Sequence, residues 1–361
     1  MRKPVVVDLF SGAGGLTHGF YLEGFEVAAG IDFDAACKYG YEANNGDARF
    51  IHKDIREVTG QEIRDLYPEG CIKVLVGCAP CQPFSSYARK VKNKEENKWR
   101  LLEEFARLVV EVAPDIVSME NVRYLENFNK GEMLNYFTGV LYNQGYQVEV
   151  NPKVSCASYG VPQLRTRLVL LASKLGPITL VPGTYGPERY RTVRDVIGGL
   201  PPLIAGGVDP NDPTHRTNGL TETNMKRMQA SLPGGTWEDW DESLLAACHQ
   251  KENGKSFKSV YGRMSWDKVA PTITTQCYGF GNGRFGHPEQ DRAISLREAA
   301  LLQTFPRSYQ FVETEKPCHV SELSRLIGNA VPVELGRAIA RSIRSHLRQF
   351  APTGERIPGT A

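Results

Sequence analysis

Short apolar runs rich in β-branched residues alternate with amphipathic segments over the first 175 residues of the chain. The runs predict strands, and the segments between them carry apolar residues at helical spacing. Strands that alternate with helices are typical of a doubly wound, mostly parallel α/β sheet. We expect strands at 4–10, 26–32, 49–54, 72–78, 116–120, 147–154 and 167–172, and helices at 15–22, 35–44, 60–67, 101–112 and 133–143.

The pattern changes after residue 180. Residues 181–235 contain nine Gly and seven Pro, which disfavour helices and long strands. We therefore expect a second, loop-rich domain that continues to about residue 293. Helical spacing returns at 295–303 and 333–350. A length of 361 residues with 41% hydrophobic positions is enough for two cores, or for one large domain with an insertion.

Composition and charge exclude some classes of protein and leave others open. The longest apolar run, LVLLAS, is too short to span a bilayer, and Asp8 interrupts the apolar N-terminal segment before it could serve as a signal peptide. Eight scattered cysteines show no disulfide framework, so we expect a cytoplasmic protein. A net charge of +2 neither requires nor excludes a nucleic-acid partner.

A glycine-rich turn, SGAGG, follows the first predicted strand and leads into a helix. Such a turn lets backbone amides and a helix N-terminus approach a ligand, and an acidic residue at the end of the second strand can bind ribose hydroxyls. Asp32 occupies that place, and Asp54 ends the third strand at the same sheet edge. The pattern favours an adenosine-containing cofactor over a purely structural turn.

The segment GCAPCQPFS places Cys81 just after a predicted strand, where a thiol can react. Cys78 and Cys81 also form a CxxC pair, which is typical of redox dithiols. The other cysteines are scattered without a second CxxC or a spaced His pair, so we expect no metal site. A single nucleophilic cysteine, Cys81, is the favoured interpretation, with Cys78 packed in the strand.

Two further motifs lie at the ends of predicted strands and can face the same sheet edge. Glu120, in SMENV, could protonate a ring nitrogen while a thiolate attacks carbon, or it could simply cap the following turn. In PQLRTRL, Gln163, Arg165 and Arg167 share one strand face. These arginines suit recognition of a carbonyl or phosphate, although a solvent-facing basic edge is an equally good interpretation.

Read together, DLFSGAGG, GCAPCQPFS, MENV, QLRTR and RLIGNAVPV resemble the cytosine-C5 DNA methyltransferase family, with the motifs in family order over nearly the whole chain. The resemblance implies a Rossmann-like, cofactor-binding catalytic domain at residues 1–182 and 310–361. It also implies a target-recognition domain at 183–293 and a hinge at 294–309, with DNA held between the two domains.

The resemblance assigns roles to the residues found above. It implies that Cys81 adds to C6 of a cytosine flipped out of duplex DNA, that Glu120 hydrogen-bonds and protonates N3, and that Arg167 holds O2. Arg165 would brace the loop of Cys81 or a phosphate and complete the catalytic set. The residues implied at the base or the DNA are Ala79, Pro80, Gln82 and Ser85.

S-adenosyl-L-methionine is the implied cofactor, and S-adenosyl-L-homocysteine is the implied product. The glycine turn would surround the methionine and ribose, Asp32 would bind the ribose hydroxyls and Phe33 would stack on adenine. Asp54 and Ile55 would meet the adenine edge. The implied cofactor residues are Phe10, Ser11, Gly12, Ala13, Gly14, Gly15, Asp32, Phe33, Asp54, Ile55, Pro80, Leu101 and Asn329.

The leading hypothesis is a sequence-specific DNA cytosine-5 methyltransferase of a prokaryote, either part of a restriction-modification system with a separately encoded endonuclease or acting alone. We expect it to act as a monomer on double-stranded DNA, near the nucleoid and without a membrane partner. Three alternatives stay open: the transfer-RNA-methylating branch of the family, a thiol-disulfide enzyme using Cys78 and Cys81, and a non-catalytic DNA-binding module.

Overall fold

A seven-stranded sheet lies at the centre of the fold. The structure, a computed structural model, describes residues 2–80, 100–247, 249–251, 254, 256–313 and 318–350. The sheet strands are β1 (Pro4–Leu9), β2 (Glu26–Asp32), β3 (Arg49–His52), β4 (Ile72–Gly77), β5 (Ile116–Val122), β6 (Gln147–Ser155) and β8 (Thr166–Ser173). Four short strands lie outside it: β7 (Gln163–Leu164), β9 (Val208–Asp209), β10 (Asp212–Arg216) and β11 (Ala270–Pro271).

Helices connect these strands. They are α1 (Gly15–Leu22), α2 (Lys38–Glu42), α3 (Gly60–Arg64), α4 (Arg100–Val112), α5 (Glu132–Asn143), α6 (Val193–Ile197), α7 (Glu222–Ala230), α8 (Leu296–Leu302), α9 (Val320–Asn329) and α10 (Val333–Gln349). In the part of the chain that the structure describes, none of them is long and apolar enough to cross a membrane.

The strand order is β3-β2-β1-β4-β5-β8-β6. Neighbouring strands from β3 to β5 pair in parallel, whereas β8 is antiparallel to both β5 and β6. The predicted doubly wound, mostly parallel α/β sheet is therefore confirmed. The carboxyl ends of β1, β2, β4 and β5 lie along one edge, which is where open α/β sheets bind ligands.

The chain divides into two compact units. Unit 1 comprises Met1–Ser155, Thr166–Gly183 and Val331–Ala361, and unit 2 comprises Cys156–Arg165 and Thr184–Ala330. We predicted the loop-rich domain at 183–293; the second segment of unit 2 begins at 184, and unit 2 also includes residues 156–165, which we had placed in the catalytic domain. The other boundary differs, because residues 294–330 cluster with unit 2 instead of forming a hinge and rejoining the sheet. The roles assigned to the domains stay predictions.

Side-chain hydrogen bonds give the physical reason for that difference. The Arg297 side chain of α8 donates to the carboxylate of Asp212 at 2.6 and 3.0 Å, and the Ser324 hydroxyl of α9 donates to the carbonyl of Thr275 at 3.0 Å. Helices α8 and α9 also pack against each other. Residues 294–330 therefore form one packed block within unit 2.

Unit 1 has a core on the face of the sheet that α4 and α5 cover. Phe105 and Leu108 of α4 and Phe137 of α5 are completely buried there. Helix α1 and helix α10 also pack together in unit 1. A Cβ on Gly19 would lie 2.6 Å from the backbone of α10 at Gly336, so this contact requires glycine.

Unit 2 is loop-rich, as predicted, and has a small core of its own. Met228, Trp237, Trp240 and Phe280 pack together in it. Trp237 and Trp240 are 5% and 7% exposed, so their rings serve as core residues of unit 2.

A buried ion pair stabilises the start of α8 in unit 2. Arg292 donates to both carboxylate oxygens of Glu298 at 2.8 Å, and both side chains are almost completely buried. Glu298 also accepts from the backbone amide of Ser295, whose hydroxyl in turn accepts from the Glu298 amide. This reciprocal capping box satisfies amides at the helix N-terminus that would otherwise be unpaired.

Candidate active site

The glycine-rich turn at the end of β1 adopts a left-handed backbone. Phe10, Gly12 and Gly14 have φ values of 59°, 51° and 85°. Gly14 is the N-cap of α1, so the turn leads straight into a helix N-terminus. A non-glycine side chain at Gly12 or Gly14 would be strained, which explains why the sequence places glycines there. Ala13, between them, is buried, whereas Phe10 is partly exposed and lies 6.3 Å from the ring of Phe105.

Asp32, the last residue of β2, is tied to this turn. Its carboxylate accepts from the backbone amide of Gly12 at 2.9 Å and from the amide of Asp34 at 2.9 Å. Burial raises the pKa of Asp32, while these amide hydrogen bonds oppose the rise. A carboxylate has about four lone-pair positions, so two amides leave acceptor capacity for ligand hydroxyls. The structure thus brings Asp32 and the glycine turn together, as the sequence predicted.

Asp8 lies on β1, just before the turn, and the sequence did not predict its buried carboxyl. Its side chain on β1 is 1% exposed, and Oδ2 accepts from the Thr17 hydroxyl at 2.6 Å. Among the described residues no hydrogen bond reaches Oδ1. Burial raises the pKa of Asp8 to about 7; the Thr17 hydrogen bond opposes this rise and the nearby charge of Asp32 adds to it.

The residues predicted around adenine lie at the ends of β2 and β3. Phe33 is 66% exposed. Asp54 caps the turn at 55–57, and a hydrogen bond from the Arg56 side chain lowers the pKa of Asp54. The Ile55 side chain is buried in the core, so it offers a ligand its backbone rather than its side chain. Leu101 packs against the same core while partly buried.

Three observations fit an adenosine-containing ligand at this turn. A Cβ built on Gly12 would meet nothing within 4 Å, so there is open space beside the turn. The Ser11 hydroxyl is buried, and in the described ranges it has no hydrogen-bond partner. The exposed ring of Phe33 follows Asp32 directly and offers a stacking surface. The residues present therefore match the chemistry of the expected cofactor.

Glu120 is held at the end of β5 by two side chains of unit 1. Its side chain is 2% exposed, and Oε2 accepts from Cys78 Sγ at 2.8 Å. Arg167 Nε, on the adjacent strand β8, lies 3.1 Å from Oε1. That contact has the distance of an ion pair but not the alignment of a hydrogen bond, and no described residue hydrogen-bonds Oε1. The structure brings Glu120 and Arg167 together, as predicted.

The chain after β4 continues along the same edge. Ala79 is buried, and its carbonyl accepts from the Asn121 side chain at 3.3 Å. Pro80 is partly exposed and ends this described range. Cys81, Gln82 and Ser85 lie outside the described residues. Their predicted roles stay predictions.

Arg165 belongs to unit 2 and has a bracing function there. It is 5% exposed and donates to the carbonyls of Ile273 and Ala330 at 3.2 Å each. The interpretation as a solvent-facing strand edge is therefore wrong for Arg165. Gln163, on the same face, donates to the carbonyl of Leu302 at 2.7 Å. Asn329, at the end of α9, is exposed and also lies in unit 2.

Sequence reasoning missed two residues of this site, Cys78 and Asp8. Cys78 was interpreted as strand packing, yet the parallel register places Gly77 opposite Met119, and the residues that follow these two, Cys78 and Glu120, are hydrogen-bonded. That register was the signal that could have revealed Cys78. Within the described ranges, no cluster of three or more His, Cys, Asp or Glu side chains could hold a metal ion.

Comparisons with known proteins agree with this arrangement. The family model for C-5 cytosine-specific DNA methylase matches residues 5–345. The type II methylase M.HgiDII of Herpetosiphon aurantiacus is 59% identical over 342 residues, which cover 95% of each chain. The type II methyltransferase M1.HphI of Haemophilus parahaemolyticus is 30% identical over 93% of this chain and 86% of its own length.

Two solved structures support the fold alone. One is an E. coli protein described as a DNA modification methyltransferase encoded within a prophage, with a TM-score of 0.73 at 22% identity over 96% of this chain and 100% of that one. The other is the Entamoeba histolytica methyltransferase EhMeth, with a TM-score of 0.64 at 14% identity over 96% and 99%. The family match spans almost the whole sequence. The chain therefore belongs to the C-5 cytosine-specific DNA methylase family and is a DNA cytosine-5 methyltransferase.

Proposed function

We propose that the protein is a type II, sequence-specific methyltransferase that uses S-adenosylmethionine to methylate one cytosine in a short duplex target. The main support for this proposal is the buried Glu120 carboxylate, which Cys78 and Arg167 hold at the ligand-binding edge of the sheet. Cys81 follows β4, a strand that ends at this edge, in the sequence. The type II assignment rests on the relative at 59% identity, which is named a type II methylase. A cognate endonuclease encoded elsewhere would complete a restriction-modification system.

The cofactor would be held by the glycine-rich turn and the ends of β2 and β3. The turn amides and Ser11 would bind the methionine part, Asp32 the ribose hydroxyls and Phe33 the adenine face. Asp54 would meet the adenine edge. When bound, S-adenosylmethionine supplies the electrophilic methyl group that cytosine C5 takes.

The protein's own residues would make C5 reactive. Cytosine C5 is a poor nucleophile until a thiolate adds to C6, and the base must leave the stack before a thiol can reach that atom. Cys81 would form the bond to C6 while Glu120 donates a proton to N3 and Arg167 holds O2. Once C5 has taken the methyl group, loss of the C5 proton to solvent and elimination of the Cys81 thiolate, with return of the N3 proton to Glu120, would restore the aromatic ring.

Unit 2 would carry the target recognition. Its segments at 214–228, 261–276 and 279–287 mix Gly, Asn, Thr and Arg, which is the chemistry of side chains that read base edges. Arg263 in the second segment is 5% exposed and donates to the carbonyls of Met228 and His287. We therefore expect Arg263 to shape the recognition loops instead of contacting bases.

Covalent trapping on duplex DNA containing 5-fluorocytosine tests the mechanism. Fluorine at C5 cannot leave as a proton does, so wild type should accumulate a covalent adduct and Cys81→Ser should form none. Cys71→Ser, which changes a buried thiol at the start of β4, is the matched control and should trap like wild type. Equal trapping by Cys81→Ser and wild type would refute the assignment of the nucleophile.

Two further measurements separate the alternatives. Incubation with labelled cofactor and either duplex DNA or transfer RNA should label the DNA, and labelling of RNA alone would favour the RNA branch of the family. A dithiol enzyme would lose all activity in Cys78→Ser, whereas a methyltransferase should keep it in large part. Bisulfite sequencing of plasmid from cells that express the chain would identify the methylated cytosine and its sequence context.

A further inference from the structure

We propose that Cys78 is a positioning residue for methyl transfer: its thiol holds Oε2 of Glu120, so that Oε1 is presented to the cytosine ring. The inference rests on the proposed function, in which Glu120 contacts N3. Cys78 itself would not contact the substrate, and its effect would pass through the Glu120 carboxylate.

The register of β4 and β5 places Cys78 next to Glu120. Strands β4 and β5 are parallel neighbours, with Gly77 opposite Met119. Cys78 is the first residue after β4, and Glu120 follows Met119 within β5, so the two residues lie beside each other at the ligand-binding edge. The resulting distance from Sγ to Oε2 is 2.8 Å. The pairing of Gly77 with Met119 fixes the residues on which the positions of Cys78 and Glu120 directly follow.

The two carboxylate oxygens of Glu120 have unequal surroundings. Oε2 accepts the thiol hydrogen bond, whereas no described residue hydrogen-bonds Oε1, which has Arg167 Nε at 3.1 Å in ion-pair contact. Because Glu120 is only 2% exposed, solvent can hardly reach Oε1 to donate a hydrogen bond to it. A buried polar oxygen without a hydrogen bond is costly unless a ligand supplies one. Oε1 is therefore the oxygen suited to meet N3.

Without a fixed partner, the carboxylate of Glu120 could rotate about its last side-chain torsion. The last torsion of a glutamate is broad and roughly two-fold, so an unrestrained carboxylate can exchange its two oxygens. A donor that fixes one oxygen removes this exchange and places the other before substrate binds. Pre-organisation of this kind raises the rate of the chemical step rather than substrate affinity. A thiol is a weak donor, so it orients the carboxylate while competing little with the substrate.

Single-turnover methyl transfer and adduct formation on 5-fluorocytosine DNA test the proposal. Cys78→Ala, which removes the donor, should lower both rates by about tenfold. Its KM for DNA should stay within about twofold of wild type. Cys78→Ser keeps a donor and should restore the rates to within about threefold of wild type. Cys71→Ala removes a buried thiol at the other end of β4 and should have the wild-type rate.

A double-mutant cycle identifies the route of the effect. In a Glu120→Gln background, Cys78→Ala should lower the residual rate by less than about twofold, because the group through which Cys78 acts is already altered. Multiplicative effects in the two backgrounds would show that Cys78 acts elsewhere and would overturn the proposal. A wild-type rate for Cys78→Ala would also overturn it, while leaving the proposed function intact.

Two controls keep these readings separate. If thermal unfolding shows that Cys78→Ala is destabilised, Cys78→Val fills the space without a donor, and it should show the same loss of rate. If Glu120→Gln itself transfers methyl groups at the wild-type rate, the proposed role of Glu120 fails, and the role of Cys78 fails with it. The two failures are thus distinguished by which single variant keeps its rate.

Discussion

Asp8→Asn should change how the stability of the protein depends on pH. The Asp8 carboxyl is 1% exposed on β1, and burial raises its pKa to about 7, with the Thr17 hydrogen bond opposing the rise and the charge of Asp32 adding to it. In the unfolded chain the same carboxyl titrates near its ordinary value of 3.8. The folded state therefore holds a proton between these values that the unfolded state releases, whereas asparagine cannot ionise.

The sign and size follow from proton linkage. The stability that Asp8 contributes is fully present below its unfolded pKa and is lost as the pH rises through its folded pKa. A shift from 3.8 to about 7 corresponds to a loss of about 4 kcal/mol. Roughly 2.5 kcal/mol of that loss falls between pH 5 and pH 8. Wild type should lose this amount over that range, and Asp8→Asn should not.

Urea unfolding followed by circular dichroism at pH 5, 6, 7 and 8 measures the effect. The free energy of unfolding of Asp8→Asn, minus that of wild type, should rise by about 2.5 kcal/mol across the series. Asp47→Asn, at an exposed carboxyl before β3, is the control and should give a flat difference. A flat difference for Asp8→Asn as well would show that Asp8 carries no extra proton in the folded protein.

Two predictions concern packing and a buried charge. Gly19→Ala should destabilise the protein by about 1 to 3 kcal/mol, because its Cβ would meet the α10 backbone at 2.6 Å. Gly139→Ala in α5, whose Cβ would meet nothing within 4 Å, should instead stabilise the protein by up to about 1 kcal/mol. Equal melting temperatures for the two variants would contradict this prediction. Burial by itself would raise the pKa of Glu298, but the Arg292 guanidinium holds it below its ordinary value. Such a group stabilises the fold above its unfolded pKa and loses that effect as the pH falls. Glu298→Gln should therefore cost about 3 to 5 kcal/mol in urea unfolding at pH 7 and less at pH 4, and a cost that is the same at both would refute the ion-pair argument.

The local elements and the order of the motifs were determined by the sequence. Each strand of the sheet was predicted with ends within two residues of those observed, and α1 begins and ends at the predicted residues. Apolar periodicity and glycine placement are local properties, so they can be read without the fold. The acidic residue that closes β2 was predicted to lie at the same sheet edge as the glycine turn, where it would bind ribose hydroxyls, because the ends of parallel strands share an edge. The backbone amide of Gly12 indeed donates to Asp32.

Contacts between distant segments were decided only by the tertiary structure. Arg165 looked suited either to a cleft or to solvent, yet it is buried against carbonyls more than a hundred residues away. Likewise, residues 294–330 join unit 2 because Arg297 binds the carboxylate of Asp212 and Ser324 binds the carbonyl of Thr275, contacts that no local pattern predicts. The sequence around Cys78 predicted a packing residue, whereas in the structure the β4–β5 register places its thiol within hydrogen-bond distance of Glu120. Local propensity depends on neighbours in sequence, whereas the partner of a buried polar group depends on which strands and loops the whole chain brings together.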